Sequence, residues 1–272
     1  MRSVEEHLER LAGLIDGLDE AAVAVSGGVD SLTLAVFAHR VAPARVTMFH
    51  AVSPAVPAEA TERVQSLARR EGWALHVIDA DEFSDSNYRA NPVNRCFYCK
   101  TNLYAAIAPH TRAQIVSGTN TDDLGEYRPG LDAAQNHGVR HPFVEAGIDK
   151  ATVRAIARQL GLGGVAELPS APCLSSRIET GIAIDAGMLR LVHAAEKLVA
   201  AALAPGTVRC RVRAGGVVIE LDKASLGALN GAGRELLARE LAALFRADGL
   251  DYPISFAAYR TGSAFLVQLQ PA

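Results

Sequence analysis

The sequence predicts an α/β fold in which a parallel sheet is followed by a smaller α+β domain. Short apolar runs alternate with segments of helical periodicity over most of the chain, and this alternation is typical of right-handed crossovers between parallel strands. Of the 272 residues, 49% are hydrophobic, which is enough for a large core. Beyond residue 182 the pattern changes to helix, hairpin, helix and strand. We therefore predict one domain at 1–182 and a second at 183–272.

The predicted elements run in chain order. An N-terminal amphipathic helix, with apolar residues at helical spacing from Val4 to Leu18, precedes the first strand. The other helices of the first domain are predicted at 32–37, 58–71, 101–108 and 150–160, and its strands at 21–25, 45–53, 73–79 and 113–120. The second domain is predicted to contain helices over 188–199 and 233–248, and strands at 208–213, 217–221 and 254–258.

A glycine turn, Ser26-Gly27-Gly28-Val29-Asp30-Ser31, joins the first strand to a helix. Glycines let the backbone approach an oxyanion, and the unpaired N–H groups at a helix start point at it. Because no Gly-Lys-Ser/Thr sequence ends the turn, it is not a Walker loop. A turn that merely connects two elements has no use for an aspartate between two hydroxyls. We therefore expect the turn to bind phosphate, with Asp30 holding a magnesium ion.

This turn resembles the PP-loop of the ATP pyrophosphatase superfamily, whose members adenylate a carbonyl or carboxylate and release pyrophosphate. The resemblance implies that Ser26, Gly27, Gly28, Asp30 and Ser31 bind ATP and its magnesium ion. It leaves open whether ammonia, an amine or sulfur is the nucleophile that follows.

Further candidates lie where other strands end, because ligands of parallel sheets bind at the carboxyl ends of the strands. Ser53 and Gly118 follow two predicted strands, and we assign both to nucleotide binding, Ser53 near the adenine. His50 lies in the same region, and we interpret it as a strand residue hydrogen-bonded to its surroundings rather than as a ligand.

Acidic and basic residues follow the fourth strand. Asp122 or Asp123 is either a magnesium ligand, for which we choose Asp122, or an Asx cap on the next turn. The turn at 126–130 contains a proline and a glycine, which make it stiff. We assign Arg128 of this turn to nucleotide binding, and the alternative is a surface ion pair with Glu126.

Three arginines alternate with apolar residues in the first strand of the second domain. Arg209, Arg211 and Arg213 share one face, whereas Cys210 faces the other way and is predicted to be a small core residue. The arginine face is either solvated or a site for an oxyanion, for which a phosphate is suited to the guanidinium geometry.

Charge and composition exclude several classes of protein. The net charge of −3 argues against a general nucleic-acid coat. The N-terminus has no apolar run of the kind that a secretory signal needs, and no stretch is long enough to span a membrane. We therefore expect a cytoplasmic protein that binds neither nucleic acid nor membranes. In a reducing compartment its four cysteines are expected to be thiols or metal ligands.

Three cysteines form the second candidate centre. Cys96 and Cys99 have a spacing that lets two thiolates reach one metal or cluster, although a redox pair has the same spacing. Cys173, between two prolines of an irregular loop, would supply a third thiolate. Three protein ligands leave one position open for chemistry. If the site is a cubane iron–sulfur cluster, its unligated iron can carry an extra sulfide.

Four segments together resemble the LarE family, the ATP-dependent sulfur transferases that build the nickel-pincer cofactor of lactate racemase. The segments are the glycine turn, 126–130, Pro172-Cys173-Leu174-Ser175-Ser176-Arg177 and Val208-Arg209-Cys210-Arg211. The resemblance implies that the protein adenylates the carboxylates of pyridinium-3,5-biscarboxylic acid mononucleotide and replaces an oxygen of each by sulfur. It also implies that Arg209 and Arg211 hold the substrate phosphate, and it suggests a homo-oligomer.

The cysteines decide between two branches of that family. Members that sacrifice their own sulfur carry the cysteine before Ser-Ser-Arg and lack the other two. This chain has Cys96, Cys99 and Cys173, which resembles the branch with a [4Fe-4S] cluster; the source of the sulfide is not indicated. The alternatives are sacrificial transfer from Cys173, an amidotransferase or tRNA-thiolating enzyme with the same adenylation step, and a non-enzymatic module with structural zinc.

Overall fold

The computed structural model describes residues 3–125, 128–169 and 172–266. They form two compact units, Met1–Asp85 with Asn94–Ala171 and Ser86–Val93 with Pro172–Ala272, and each unit contains one sheet. Among the helices that the structure describes, none has the length and apolar character that crossing a membrane requires.

The helices and strands are numbered in chain order. The helices are α1 (Val4–Asp16), α2 (Val29–Val41), α3 (Ala58–Glu71), α4 (Ser86–Arg89), α5 (Arg95–Ile107), α6 (Gly130–Asn136), α7 (Pro142–Ala146), α8 (Lys150–Gln159), α9 (Gly163–Ala166), α10 (Ala186–Leu203), α11 (Lys223–Ala228) and α12 (Gly231–Ala247). The strands are β1 (Ala21–Ala24), β2 (Val46–Val52), β3 (Ala74–Asp79), β4 (Gln114–Ser117), β5 (Val208–Arg213), β6 (Gly216–Leu221) and β7 (Ile254–Ala258).

The first unit is built on a parallel sheet with the strand order β3-β2-β1-β4. All four residues of β1 are buried, because the strand is central and helices cover both faces of such a sheet. In α2, every residue from Val29 to Ala38 except Asp30 is buried. The start of α2 is therefore fixed against the sheet by its own core contacts. The predicted α/β fold with a parallel sheet is confirmed.

The second unit contains a three-stranded sheet in the order β5-β6-β7. The β5–β6 pair is the predicted antiparallel hairpin, and β7 pairs with β6 in parallel. Cys210 is fully buried, as predicted for a small core residue. The fold prediction of a smaller second sheet is thus confirmed as well.

The division into units differs from the predicted domain boundary at residue 182. Residues 86–93 and 172–182 group with the second unit. The cause is a set of long-range contacts: Ile178 forms a β-bridge with Val212 of β5, and the hydroxyls of Tyr88 and Ser175 are 2.6 Å apart. Neither contact has a local sequence signal.

Helix α5 is longer than the predicted helix at 101–108. It begins at Arg95, so Cys96 and Cys99 lie in its first two turns and not in a loop before it. The residues at 94–99 include Asn, Cys, Phe and Tyr, which are weak helix formers. Burial of Arg95, Tyr104 and Ile107 on the same helix shows that tertiary packing outweighs the local preference.

Candidate active site

The glycine turn lies between β1 and α2, as predicted. Gly27 has a positive φ of 83°, and a Cβ at this position would lie 2.7 Å from the carbonyl oxygen of Ala60. Only glycine meets both constraints. Gly28 is the N-cap of α2 and has extended φ and ψ, so the first N–H groups of the helix face outward from its end without intrahelical acceptors. These donors and the helix dipole favour an anion there.

Hydrogen bonds of two serine hydroxyls fix the shape of this turn. The hydroxyl of Ser31 donates to the carbonyl oxygen of Gly28 at 3.2 Å and accepts from the backbone N–H of Ser26 at 3.1 Å. The two hydroxyls of Ser26 and Ser31 are 3.1 Å apart. Ser31 is buried, whereas Ser26 is exposed. Ser31 therefore holds the loop together, and Ser26 presents its hydroxyl at the surface of the loop.

His50 anchors the base of the turn. Its Nδ1 lies 2.8 Å from the carbonyl oxygen of Val25, and its Nε2 lies 2.9 Å from the hydroxyl of Thr61 on α3. A carbonyl oxygen accepts only, so Nδ1 carries the proton and Nε2 accepts from Thr61. Burial lowers the pKa of His50, which keeps the ring neutral. The interpretation of His50 as a hydrogen-bonded strand residue is confirmed.

Arg63 is a basic residue at the turn that the sequence did not single out. Its Nε donates to the carbonyl oxygen of Gly27 at 3.1 Å. The side chain belongs to α3 and is half-buried. Arg63 therefore adds a positive charge to the loop whose N–H groups favour an anion. The sequence did not indicate this role, because Arg63 occupies an ordinary helix position with no motif around it.

The carboxylate of Asp30 lies between two donors. Nδ2 of Asn120, which follows β4, donates to Oδ1 at 3.2 Å. Nζ of Lys150, the first residue of α8, donates to Oδ2 at 2.5 Å. Asp30 and Lys150 have side chains that are 27% and 33% exposed, so the pair is open to a ligand. The sequence pointed to Asp30 and to neither partner.

Gly118 brings β4 against the start of α2. A Cβ on Gly118 would lie 2.8 Å from both the carbonyl carbon of Asp30 and the backbone nitrogen of Ser31. Any larger residue would push the two elements apart. Gly118 thus lies against the backbone of the glycine turn, and its predicted role in nucleotide binding stays a prediction.

The acidic pair after β4 has backbone partners. Oδ2 of Asp122 accepts from the N–H of Lys150 at 3.3 Å, and Oδ2 of Asp123 accepts from the N–H of Asn120 at 3.0 Å. Neither bond is a cap on the following turn; Asn120 supplies that cap, with its Oδ1 accepting from the N–H of Asp122 at 3.0 Å. The magnesium role of Asp122 stays a prediction. Arg128 pairs with Oδ1 of Asp123 at 2.8 Å. Glu126, the partner proposed for Arg128 from the sequence, lies outside the described residues.

A hydrogen-bonded histidine and serine lie at the carboxyl end of β4. Nδ1 of His141 lies 2.8 Å from the hydroxyl of Ser117, which is in turn 3.0 Å from the hydroxyl of Thr119. Burial lowers the pKa of His141, the nearby Lys100 lowers it further, and Glu145 and Asp123 oppose both effects. A neutral ring is therefore favoured near the acidic pair. Nothing in the local sequence marked His141.

Ser53 lies with a buried carboxyl at the ends of β2 and β3. Burial raises the pKa of Glu82, and a hydrogen bond from the Ser53 side chain partly offsets that rise. Glu82 is 4% exposed. Ser53 also accepts from the N–H of Ala55 at 3.2 Å. Its predicted role near an adenine stays a prediction.

Cys96 and Cys99 lie three residues apart on α5, so their side chains lie on one side of the helix. Both are half-buried and neither is in a disulfide. Within neither unit do the described residues bring three or more His, Cys, Asp or Glu side chains into a group that could hold a metal. Cys173 belongs to the other unit, and the three-cysteine centre stays a prediction.

Cys173 lies at the start of a 3-10 turn, Leu174–Arg177, and is a half-buried free thiol. Arg177 fixes this turn. Its Nη1 donates to the carbonyl oxygens of Pro172 at 2.6 Å and of Cys173 at 3.2 Å. Its Nε and Nη2 donate to the two carboxylate oxygens of Glu196 at 2.9 and 3.1 Å. A buried, bidentate ion pair therefore holds the backbone on both sides of the thiol in one conformation.

The arginines of β5 are not on a solvated face. Arg211 is 4% exposed and donates to Glu220 and, at 2.9 Å, to the carbonyl oxygen of Ser176. Arg213 pairs with the other oxygen of Glu220. Arg209 lies with its guanidinium 5.7 Å from the ring centre of Tyr259, and burial together with the charge of Arg177 lowers its pKa. The solvated alternative is therefore wrong for Arg211, because the turn at 174–177 covers it.

Comparison with known proteins identifies the family. No protein-family model matches the chain. An uncharacterised protein of Synechocystis sp. is 39% identical over 71% of this chain and 73% of its own length. The pyridinium-3,5-bisthiocarboxylic acid mononucleotide synthase of Lactiplantibacillus plantarum is 31% identical over 80% of each chain. An uncharacterised protein of Methanocaldococcus jannaschii is 26% identical over 74% of this chain and 77% of its own length. By these matches the chain belongs to the LarE family of pyridinium-3,5-bisthiocarboxylic acid mononucleotide synthases.

Proposed function

We propose that the protein is an ATP-dependent sulfurtransferase that converts carboxylates of a pyridinium-3,5-biscarboxylic acid mononucleotide into thiocarboxylates. The observation that carries this proposal is the glycine turn, in which a positive-φ glycine, the N-terminus of α2 and the carboxylate of Asp30 lie together. The 31% sequence identity with a synthase whose name states the bisthiocarboxylic product supports the substrate class.

The turn supports ATP binding through groups that are already in place. The N–H groups at the start of α2 suit phosphate oxygens, and the internal bonds of Ser31 mean that little ordering is needed when the nucleotide binds. Asp30 has the oxygen donors that magnesium prefers, with Asn120 orienting one of them. A bound magnesium ion supplies charge neutralisation at the phosphates.

Activation of the carboxylate transfers AMP and not phosphate. A substrate carboxylate oxygen attacks the α-phosphorus, the bond between the α-phosphorus and the bridging oxygen breaks, and pyrophosphate leaves with that oxygen. Negative charge develops on the α-phosphate oxygens and on the leaving pyrophosphate, so donors fixed at the helix end stabilise the transition state more than the ground state. A sulfur nucleophile then attacks the acyl carbon and expels AMP.

We propose that Cys96, Cys99 and Cys173 hold a [4Fe-4S] cluster. None of the three is in a disulfide and all are half-buried, and thiolates are the donors that such clusters take. When bound, the cluster supplies sulfide at an iron that has no cysteine. The protein would therefore act in a reducing compartment such as the cytoplasm, where thiols persist.

The arginines of β5 are proposed to hold the substrate phosphate. Burial of Arg209 next to the positive Arg177 lowers its pKa, so its positive charge is less well stabilised there than in water. A phosphate would remove that penalty. Arg211, which Glu220 already neutralises, would orient the strand and add a second, weaker contact.

An exchange assay tests the adenylation step. The protein is incubated with MgATP, labelled pyrophosphate and pyridinium-3,5-biscarboxylic acid mononucleotide, and label entering ATP is measured. We expect exchange that requires the mononucleotide and falls on the order of 100-fold in Asp30→Asn. Asp19→Asn, at an exposed position, is the matched control. Exchange without the mononucleotide, or equal exchange in Asp30→Asn, contradicts the proposal.

The fate of the sulfur separates the proposed route from its alternatives. With sulfide and a reconstituted cluster, we expect repeated formation of thiocarboxylate and an unchanged mass of the protein. One turnover with conversion of Cys173 to dehydroalanine indicates a sacrificial donor instead. One zinc per chain without ATP turnover indicates a structural site. Light scattering of the same sample tests the homo-oligomer that the resemblance suggests.

A further inference from the structure

The ion pair between Asp30 and Lys150 places an ammonium group where a metal ion would bind. Nζ of Lys150 is 2.5 Å from Oδ2 of Asp30, and the other carboxylate oxygen is held by the neutral amide of Asn120. A divalent cation takes carboxylate oxygens as ligands at about 2.0 to 2.6 Å. The ammonium and the cation therefore compete for the same oxygen.

The backbone of Lys150 is fixed, although its side chain is not. Its N–H donates to Asp122, Thr121 donates to the carbonyl oxygen of Ile148 at 3.0 Å, and Asp149 caps α8 by accepting from Thr152. By contrast, the Lys150 side chain is one third exposed. Lysine carries its charge on a flexible four-carbon stem, so the ammonium can leave Asp30 without any movement of α8.

The surroundings give the released ammonium a definite destination. Asp30 is the second residue of α2, so an ammonium on the Asp30 carboxylate lies within one helical turn of the N–H groups that favour phosphate. Lysine binds phosphate as a point charge. A metal ion on Asp30 and an ammonium on the phosphates would together neutralise more of the triphosphate than either alone.

We propose that Lys150 is a displaceable counter-ion of the nucleotide site: it pairs with Asp30 until a divalent cation takes Oδ2, and it then binds the phosphates of the leaving pyrophosphate. This inference rests on the proposed binding of a nucleoside triphosphate with a divalent cation. Lys150 is then a binding residue that weakens the binding of the metal ion and strengthens the binding of pyrophosphate.

Equilibrium binding to Lys150→Met tests the inference without turnover. The first probe is Mn²⁺ alone, measured from the electron paramagnetic resonance signal of the free ion. Removal of the competing ammonium is expected to tighten Mn²⁺ binding about five-fold. The second probe is inorganic pyrophosphate with saturating Mg²⁺, measured by calorimetry. Loss of the charged donor is expected to weaken its binding about ten-fold.

Two further variants serve as controls. Lys150→Arg keeps the charge and should bind Mn²⁺ no more tightly than the unmodified chain. Lys223→Met removes an exposed lysine of the other unit and should change neither constant.

The inference is overturned if Lys150→Met leaves Mn²⁺ binding unchanged or weaker, if it leaves pyrophosphate binding unchanged, or if the unmodified chain binds neither probe. The Mn²⁺ measurement needs no nucleotide and no mononucleotide. A failure of the exchange assay with the expected Mn²⁺ and pyrophosphate results would therefore count against the proposed substrate and leave the role of Lys150 standing.

Discussion

Gly118 touches the backbone of Asp30 so closely that a Cβ on Gly118 would lie 2.8 Å from the Asp30 carbonyl carbon. The contact joins the end of β4 to the first turn of α2. It therefore couples the position of Asn120, two residues further on, to the carboxylate that Asn120 orients. The geometry around the Asp30 carboxylate therefore depends on the absence of a side chain at Gly118.

Replacing Gly118 by alanine should disturb this site directly. The overlap is with backbone atoms, which cannot move aside cheaply, so we expect a loss of about 1–3 kcal/mol in the free energy of unfolding and weaker nucleotide binding. Urea unfolding and calorimetry with an ATP analogue measure the two effects. Gly13→Ala is the control, because a Cβ there meets nothing within 4 Å and alanine favours a helix interior. Equal behaviour of the two variants would contradict the argument.

The four cysteines should differ in their reactivity toward an alkylating agent. Burial strongly raises the pKa of Cys210, so its thiolate is scarce and inaccessible in the folded chain. Cys96, Cys99 and Cys173 are half-buried. We expect iodoacetamide to label these three in the native apoprotein and to label Cys210 only after denaturation, as read by peptide mass spectrometry.

Variants that lack one cysteine each should differ in the iron that they bind. After anaerobic reconstitution, Cys96→Ala, Cys99→Ala and Cys173→Ala should each lose the iron and sulfide that the unmodified chain takes up, together with the visible absorption. Cys210→Ala should retain them. A colourless unmodified chain with full activity would defeat the cluster proposal.

Protonation of His50 should oppose folding. Burial lowers its folded-state pKa below the ordinary value of 6.5, so at acidic pH the unfolded chain binds a proton that the folded chain does not. The free energy of unfolding should thus fall as the pH drops below about 6.5, with a slope of at most about 1.4 kcal/mol per pH unit from this residue. Urea unfolding over that pH range measures the slope.

Asparagine at position 50 can keep the donor to Val25 without titrating. We expect His50→Asn to be less stable at neutral pH, because the bond to Thr61 is lost, and to lose stability less steeply on acidification. His141, whose pKa burial also lowers, contributes in the same sense. The double variant with His141→Asn should therefore have the shallowest slope, and an unchanged slope would contradict the assignment of neutral rings.

The glycine turn was predictable from sequence because the hydrogen bonds that fix its shape are local, although the contact of Gly27 with Ala60 is not. Gly27, Gly28 and Ser31 act within six residues, and their spacing alone indicates a phosphate loop. The partners of Asp30 were not predictable in this way. Asn120 and Lys150 are 90 and 120 positions away, and each is an ordinary polar residue beside its own element.

The arginine strand shows a different limit. Its period-two pattern correctly placed Cys210 in the core, but the alternation only says which residues share a face. It does not say what covers that face. The 174–177 turn lies on Arg211 through the carbonyl oxygen of Ser176, and Glu220 comes from the neighbouring strand. Burial of the arginine is thus a tertiary effect with no periodic signature.

Arg177 should control the Cys173 turn by geometry and not by charge alone. In Arg177→Lys a single ammonium cannot bond both oxygens of Glu196 and both carbonyl oxygens beside the thiol. Because Glu196 is left largely buried with poorer pairing, we expect a loss of about 3 kcal/mol in the free energy of unfolding. We also expect faster alkylation of Cys173 in the native chain, since its turn is no longer held. Arg190→Lys, at an exposed position of α10, is the control and should change neither quantity. If the alkylation rate of Cys173 in Arg177→Lys stays at that of the control, Arg177 stabilises the unit without positioning the thiol.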